Sequence, residues 1–413
     1  MMQSKSVFMP MFIMGTLFFI FGFVTWLNGS LIPFLKVLCS LNDFEALFVS
    51  FAFYIAYTVM AYPMALVLEK TGYRDGMRLG LLIMALGSLL FIPAAFSGEF
   101  FIFLVALFTL GTGLTLLQTA SNPYIVLLGP IESAAMRISI MGLINKSAGV
   151  FAPLVFTALI FADMGTPSEA LTQVQIDKLA LNLVDPYIVM AIVLSGLTLL
   201  IKYSSLEELE FINDPYDDDS IFTFPRVILG AIALFFYVGV EVIAGDTIGL
   251  YAQDIGLSDV TSLTSYTMAF MVVAYVVGVL MIPKYLSQES ALKASAVLGV
   301  LFTLGIVFSS QTEYNILPIL PDSLLFVALL GLANALVWPT IWPLALEDLG
   351  KHTAKASALL IMAIAGGALL PLLFGKIAEI SGDMQGSYIY LIFAYLIIFF
   401  YGVKGHKMKE WRA

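Results

Sequence analysis

Apolar stretches long enough to cross a lipid bilayer follow one another along almost the whole chain. Hydrophobic residues make up 60% of the sequence and charged residues only 12%, about half the charged fraction of an ordinary soluble domain. So little polar surface cannot cover a water-soluble globule of 413 residues. Because lipid offers no hydrogen-bond partners to the backbone, the sequence predicts an all-α membrane protein.

The hydrophobic pattern predicts twelve transmembrane helices, each with the roughly 20 apolar residues that a span requires. The first stretch is too long for a signal peptide and no Ala-x-Ala site follows it, so we expect an uncleaved first helix. The predicted helices lie near residues 8–38, 44–69, 75–97, 99–129, 134–162, 184–203, 223–253, 259–283, 292–310, 321–348, 353–380 and 385–404.

Lysine and arginine predict the orientation. Most of the 19 Lys and Arg residues fall in loops on one side of the predicted helices, the side that also carries both termini. Positive residues accumulate on the cytoplasmic side of a membrane. We therefore expect both termini in the cytoplasm of a multi-pass inner-membrane protein.

The chain is predicted to consist of two six-helix halves. The polar segment 204–222 is the one long loop on the cytoplasmic side, and it separates an N-terminal half, 1–203, from a C-terminal half, 223–413. A small-Gly-x-x-x-Pro-Leu-x-Phe pattern occurs in both halves, at 148–156 and 366–374. Two related six-helix halves joined by a cytoplasmic loop resemble the major facilitator superfamily of transporters.

The loop between helices 2 and 3 carries a turn glycine with several charges. It contains Gly72, Arg74, Asp75 and Arg78, and it resembles the cytoplasmic gating motif of that superfamily. Such charges would pair with one another and with helix ends in one state of the gate and separate in the other. A plain positively charged cytoplasmic loop is the alternative.

Four further blocks resemble the fucose–proton symporter family, and within it the glucose/galactose transporter branch. They lie at Trp26–Pro33, Gln118–Pro130, Tyr237–Val242 and Asn334–Thr340. The resemblance extends from about Phe8 to Tyr401. It implies import of a hexose or amino sugar, bound between the halves and coupled to a cation. Glucose and galactose rank first, ahead of N-acetylglucosamine and fucose. A bacterial cell membrane and a monomer are also expected from the resemblance.

One departure from the family bears on the coupling ion. The fucose carriers have an Asp in helix 1 and a Glu in helix 4 as proton and sugar ligands. By motif those positions are Gly29 and Gln118 here, and neither side chain can take up a proton near neutral pH. We therefore favour Na⁺ over H⁺ as the coupling ion.

Few ionisable residues lie inside the predicted helices, and such residues are functional candidates because a charge in the bilayer is costly. They are Glu241 and Asp246 in helix 7 and Lys146 in helix 5. Glu241, and with it Asp246, is predicted to hold the coupling ion, as Na⁺ ligands if the ion is sodium. The alternative is that Glu241 only pairs with a neighbour such as Lys146, which could instead donate to a sugar hydroxyl or extend to a wet cavity.

A sugar site needs amides for the hydroxyl groups and aromatic faces for the C–H surface of the ring. Helix–helix hydrogen bonding is the alternative role for the amides, and interfacial anchoring is the alternative for the tryptophans. The predicted sugar-binding residues are Asn28, Gln118, Asn122, Asn145 and Asn334, with Trp26 and Trp338 as stacking rings.

Other classes of function find little support. The chain has two histidines, no His-Glu-x-x-His run and no phosphate-binding glycine loop. We expect neither an enzyme nor a resident cofactor. A channel would show re-entrant filter segments or charged rings. The net charge of −10 without a basic stripe excludes nucleic acid as an expected partner.

Overall fold

The computed structural model describes residues 8–128, 134–160, 173–204, 206, 221–258, 260–282, 284–347, 349 and 352–411. Within these ranges the chain folds into α-helices, joined by turns and short 3-10 segments. The predicted all-α membrane class is confirmed.

The described part of 8–203 forms eight helices. They are α1 Phe8–Trp26, α2 Asn28–Leu38, α3 Asp43–Ala46, α4 Phe48–Ser97, α5 Phe100–Leu127, α6 Ala134–Ile160, α7 Gln173–Leu181 and α8 Val184–Tyr203. The short helix α7 falls where the sequence predicts a loop, because its mixed polar composition does not mark a membrane span.

The described part of 221–411 forms ten more helices. They are α9 Pro225–Asp246, α10 Ile248–Asp254, α11 Thr264–Met281, α12 Gln288–Phe308, α13 Asp322–Asn334, α14 Val337–Leu346, α15 Thr353–Met362, α16 Gly366–Ser381, α17 Met384–Ser387 and α18 Leu391–Val403. Most of the predicted linker 204–222 lies outside the described residues, so the division at that segment stays a prediction.

Eleven helical runs in the described ranges are long and apolar enough to cross a membrane. The run Asp43–Ser97 has 55 residues, which makes about 80 Å of helix against a hydrocarbon core of about 30 Å. Gly72 divides it, because its φ of 77° and ψ of 172° are not helical and favour glycine. This run therefore holds two spans, which brings the described spans to the predicted twelve.

The two halves meet most extensively along two pairs of helices. Helix α6 packs on α11, and α4 packs on α16. Beside the first pair, the hydroxyl of Thr157 on α6 lies 2.7 Å from that of Thr261, in the turn before α11. Beside the second, Lys376 Nζ of α16 lies 5.0 Å from the ring centroid of Phe44 on α3. These contacts join the halves at the end of the bundle where α2, α3 and α10 lie.

Candidate functional site

Three membrane helices are interrupted beside predicted site residues. Leu27 separates α1 from α2, Thr247 separates α9 from α10, and two residues separate α13 from α14. The first two interruptions lie at equivalent positions of the halves, about 220 residues apart. Discontinuous helices near the bilayer midplane commonly form transporter binding sites, because they free backbone and side-chain groups for a ligand.

A buried ion pair connects the two halves. Lys146 of α6 places its Nζ 2.7 Å from Glu241 Oε1 of α9, and the two side chains are only 11% and 9% exposed. The Tyr237 hydroxyl donates to the same Oε1 at 2.7 Å. The contact that the sequence offered as one alternative for Lys146, a pairing with Glu241, is thus present in the structure.

Trp26 holds the lysine in place. The Lys146 ammonium lies 4.3 Å from the centroid of the Trp26 ring, a cation–π contact. Two glycines make room for this ring, because a Cβ would come within 2.6 Å of it at Gly149 and within 2.7 Å at Gly245. Trp26 is 2% exposed. Its ring packs against the ion pair in this conformation, and the stacking of a sugar on Trp26 stays a prediction.

Asp246 is the second buried carboxylate of α9, with no exposed surface. Ser50 of α4 donates its hydroxyl to Asp246 Oδ2 at 2.6 Å, again from the opposite half. Among the described residues, Oδ1 of Asp246 has no hydrogen-bond partner. The two predicted ion ligands therefore have separate surroundings: Glu241 has an ammonium partner, and Asp246 has a hydroxyl partner and one bare oxygen.

Gly29 lies directly against the end of α9, beside the break in helix 7. A Cβ at Gly29 would overlap the Thr264 hydroxyl and lie 2.8 Å from the Gly245 carbonyl oxygen. Thr264 itself donates to that carbonyl at 2.7 Å. The absence of a side chain at position 29 therefore lets α2, the second part of helix 1, approach α9 of helix 7 and α11 of helix 8 closely.

Within the described ranges, three of the five predicted amides hydrogen-bond to a neighbouring helix. Gln118 donates to the Tyr57 hydroxyl at 2.9 Å and is half-buried, as is Asn122. Asn145 donates to the Phe18 carbonyl at 3.3 Å, a contact between α6 and α1 that matches helix–helix hydrogen bonding. Asn334, fully buried beside the break in helix 10, accepts from Tyr395 at 2.9 Å.

Trp338 is the predicted aromatic residue that keeps an accessible surface. It is half-buried, and its ring centroid lies 6.3 Å from that of Tyr237, the tyrosine that donates to Glu241. The ring centroid of Trp342 lies 5.5 Å from that of Trp338. Trp338 thus lies beside the tyrosine that contacts the ion pair, and its role as a stacking ring stays a prediction.

Several polar atoms around these helices are buried without a partner among the described residues. Unsatisfied buried polar groups cost roughly 1–3 kcal/mol each, so they indicate places that a polar ligand or water completes. The atoms are Trp26 Nε1, Asn28 Nδ2, Tyr54 OH, Asp246 Oδ1 and Asn334 Nδ2. They come from both halves, and sugar hydroxyls can both donate to and accept from such groups.

The tyrosines of the site were not predicted. Tyr237 lies four residues before Glu241 on the same helix face, a spacing that could have been recognised in the sequence. Tyr54 and Tyr57 of α4, whose rings stack at 6.4 Å, carry no such signal. From the sequence alone, a tyrosine of the site cannot be distinguished from any other tyrosine in an apolar helix. The packing of the helices is needed to identify it.

The loop with the proposed gating residues also makes specific contacts. Asp75 and Arg78 form an ion pair at 2.5 Å. Arg74 donates to the carbonyls of Ile201, at 3.3 Å, and of Lys202 at the end of α8. Arginine beside helix-terminal carbonyls is stabilised by the helix dipole. Gly72 supplies the turn, and the gating role of all four residues stays a prediction.

The family model described as Major Facilitator Superfamily matches residues 14–371. The glucose/galactose transporter of Brucella abortus is 32% identical over 95% of this chain and 92% of its own length. The L-fucose-proton symporter of Haemophilus influenzae is 27% identical over 98% of both chains. The crystal structure of the fucose:proton symporter FucP of Escherichia coli shares the fold, with a TM-score of 0.73 at 23% identity over 96% of this chain and 98% of its own. The chain therefore belongs to the major facilitator superfamily and, within it, to the fucose–proton symporter family on the glucose/galactose branch.

Proposed function

We propose that this protein imports a hexose, glucose or galactose, coupled to Na⁺ by alternating access between the two halves. The chain is a sugar transporter of the major facilitator superfamily rather than an enzyme, and it needs no cofactor. The observation that carries the proposal is the set of buried polar atoms, on helices of both halves, that have no hydrogen-bond partner among the described residues. A bacterial inner membrane and cytoplasmic termini complete the proposal.

The proposed sugar site combines three kinds of contact. Gln118, Asn122, Asn28 and Asn334 supply amides from helices 1, 4 and 10. Trp338 offers its accessible ring surface to the C–H face of the sugar. Asn145 of helix 5 and Trp26 of helix 1 complete the proposed set. The name of the Brucella relative, a glucose/galactose transporter, supports a hexose.

Sodium is proposed because the two family carboxylates are replaced by Gly29 and Gln118. Na⁺ is a hard cation that takes oxygen ligands, and helix 7 offers two buried carboxylates as candidate ligands, Glu241 and Asp246. Within the described residues no group of three or more His, Cys, Asp or Glu could hold a metal. Hydroxyl and carbonyl oxygens would therefore supply the remaining ligands. The gating residues Gly72, Arg74, Asp75 and Arg78 would hold one of the two states.

Proton-coupled transport is the second candidate, because the Haemophilus relative is named an L-fucose-proton symporter. Fucose or N-acetylglucosamine would then replace glucose as the sugar.

Uptake of labelled glucose into proteoliposomes separates the candidates. We expect accumulation with an imposed Na⁺ gradient at equal pH and none with a pH gradient in Na⁺-free buffer. Unlabelled galactose should compete, and fucose and N-acetylglucosamine should compete more weakly. Accumulation driven only by the pH gradient would replace Na⁺ by H⁺. If glucose neither enters nor is displaced under either gradient, the proposed substrate is wrong.

The variant Gln118→Ala tests the sugar site. Removing an amide that bonds a sugar hydroxyl should raise the KM for glucose about tenfold, since such a bond contributes roughly 1–1.5 kcal/mol. Initial uptake rates over a range of glucose concentrations measure this change. The matched control is Asn182→Ala, which removes an amide that donates to the Ile160 carbonyl away from the site. An unchanged KM in the Gln118 variant would exclude that residue from the site.

A further inference from the structure

We propose that Asp246 alone takes up the coupling cation, and that Lys146 is the built-in counter-ion of Glu241. The inference rests on the proposed ion-coupled transport and sharpens it, since it divides the roles of the two carboxylates of helix 7. The carboxylates differ in one respect that decides the assignment: only one of them already has a cation.

The Glu241 carboxylate already has a positively charged partner. Its Oε1 accepts from the Lys146 ammonium and from the Tyr237 hydroxyl, both at 2.7 Å. A second cation at this carboxylate would lie close to the ammonium and be repelled by it. Lys146 cannot leave without cost either, because the Trp26 ring covers it and an unpaired buried ammonium would result.

Asp246 has no positively charged partner of this kind among the described residues. It has no exposed surface, and its one hydrogen-bond partner in the described residues is the neutral Ser50 hydroxyl. Among the described residues, the other titratable groups that interact with this carboxylate are Glu241 on the same helix and Tyr54 on α4, and neither supplies positive charge. A buried carboxylate without a counter-ion is costly and must be neutralised from outside the protein. A cation from solution does this at Oδ1, the oxygen without a partner.

The position of this carboxylate explains how an ion would drive the transport cycle. Ser50 belongs to α4 of one half and Asp246 to α9 of the other. A cation held at Asp246 beside the Ser50 hydroxyl would therefore stabilise the arrangement in which the halves meet. An ion that binds one arrangement better than the other shifts the equilibrium toward it. The Lys146–Glu241 pair keeps the rest of the interface neutral whether or not the ion is bound.

The experiment measures ion binding without sugar. Purified full-length protein in detergent is titrated with NaCl against choline chloride at constant ionic strength, and the unfolding temperature and tryptophan fluorescence are recorded. Trp26 packs against Gly245, next to Asp246, and is a local reporter. Wild type is expected to respond to Na⁺, and Asp246→Asn to lose the response. The double variant K146M/E241Q, which removes both charges of the pair together, should keep the Na⁺ midpoint within about threefold.

Two further variants show whether a lost Na⁺ response reflects the loss of the ion site or misfolding of the protein. Ser50→Ala keeps the carboxylate but removes the hydroxyl oxygen proposed to lie beside the cation, and it should raise the Na⁺ midpoint about tenfold, equivalent to about 1.4 kcal/mol. Asp254→Asn removes an exposed carboxylate from α10 and should behave as wild type. A response that survives in Asp246→Asn, or disappears in K146M/E241Q, would overturn the assignment.

The results can contradict the assignment of the ion site and the proposed transport function independently of each other. If wild type responds to pH instead of Na⁺ and Asp246→Asn abolishes that response, Asp246 remains the ion site and the proposed sodium is replaced by a proton. If the Na⁺ response behaves as expected but liposomes accumulate no sugar, the ion site stands and the proposed transport of glucose falls. If liposomes with Asp246→Asn accumulate sugar as wild type does, the inference falls and the transport function stands.

Discussion

Replacing Lys146 by methionine is expected to lower the free energy of unfolding by about 3–5 kcal/mol and to abolish sugar accumulation. The replacement leaves the buried Glu241 carboxyl without its cationic partner, and the Tyr237 hydroxyl remains beside it. Removing one partner of a buried ion pair is far more damaging than removing both, because a lone buried charge loses its hydration without compensation. The apolar methionine chain preserves most of the packing against Trp26.

The double variant K146M/E241Q tests whether the loss of stability in Lys146→Met comes from the unpaired charge or from the changed shape of the side chain. With both charges removed, most of the lost stability should return, and the coupling energy is read from a double-mutant cycle of unfolding measurements. Lys293→Met is the matched control: it breaks an i,i+4 pair with Glu289 at 2.9 Å, whose side chains are 34% and 29% exposed. A pair this accessible contributes at most about 1 kcal/mol. Equal losses from Lys146→Met and Lys293→Met would show that the buried pair is not special.

The membrane fold could be predicted from the sequence because lipid leaves the backbone few choices. Long apolar runs had to be helices, and their number and order followed from hydropathy alone. The interruptions at Leu27 and Thr247 could not be predicted in this way. Each lies inside a stretch that is apolar enough overall to be assigned to a single span, and neither residue is itself a proline or glycine. They depend on the packing between the halves, which hydropathy does not report.

The site was predictable as a set of residues but not as a set of contacts. Lys146 and Glu241 stood out because charges are rare in membrane helices. Whether they meet depends on how α6 and α9 are rotated about their axes, which the spacing within each helix leaves undetermined. Ser50 was missed for a related reason. A serine in an apolar helix commonly bonds its own backbone, and only the approach of α9 reveals Asp246 as its partner.

Gly29→Asp, which restores the carboxylate that the resemblance places in fucose carriers, is expected to abolish transport rather than convert the protein to a fucose carrier. Two effects act in the same direction. The new side chain would overlap the Thr264 hydroxyl and approach the Gly245 carbonyl, forcing helices 1 and 7 apart. It would also add a second carboxylate beside Asp246, which has no cation partner among the described residues. Glucose uptake should fall below one tenth of wild type, with a loss of stability of roughly 1–3 kcal/mol from overpacking alone.

Smaller replacements separate the two effects. Gly29→Ala adds only the steric clash, and we expect it to reduce uptake about tenfold, as overpacking of roughly 1–3 kcal/mol would. Combining it with Thr264→Ala removes the overlapping hydroxyl and should recover part of the rate, although the Gly245 oxygen would still lie 2.8 Å from the new Cβ. The control is Gly196→Ala on α8, where a Cβ meets nothing within 4 Å and helix propensity should leave stability unchanged or raise it by up to about 1 kcal/mol. If Gly29→Ala transports as wild type does, the close approach of helices 1 and 7 is not needed in the cycle. The missing carboxylate at position 29 would then reflect the choice of coupling ion alone.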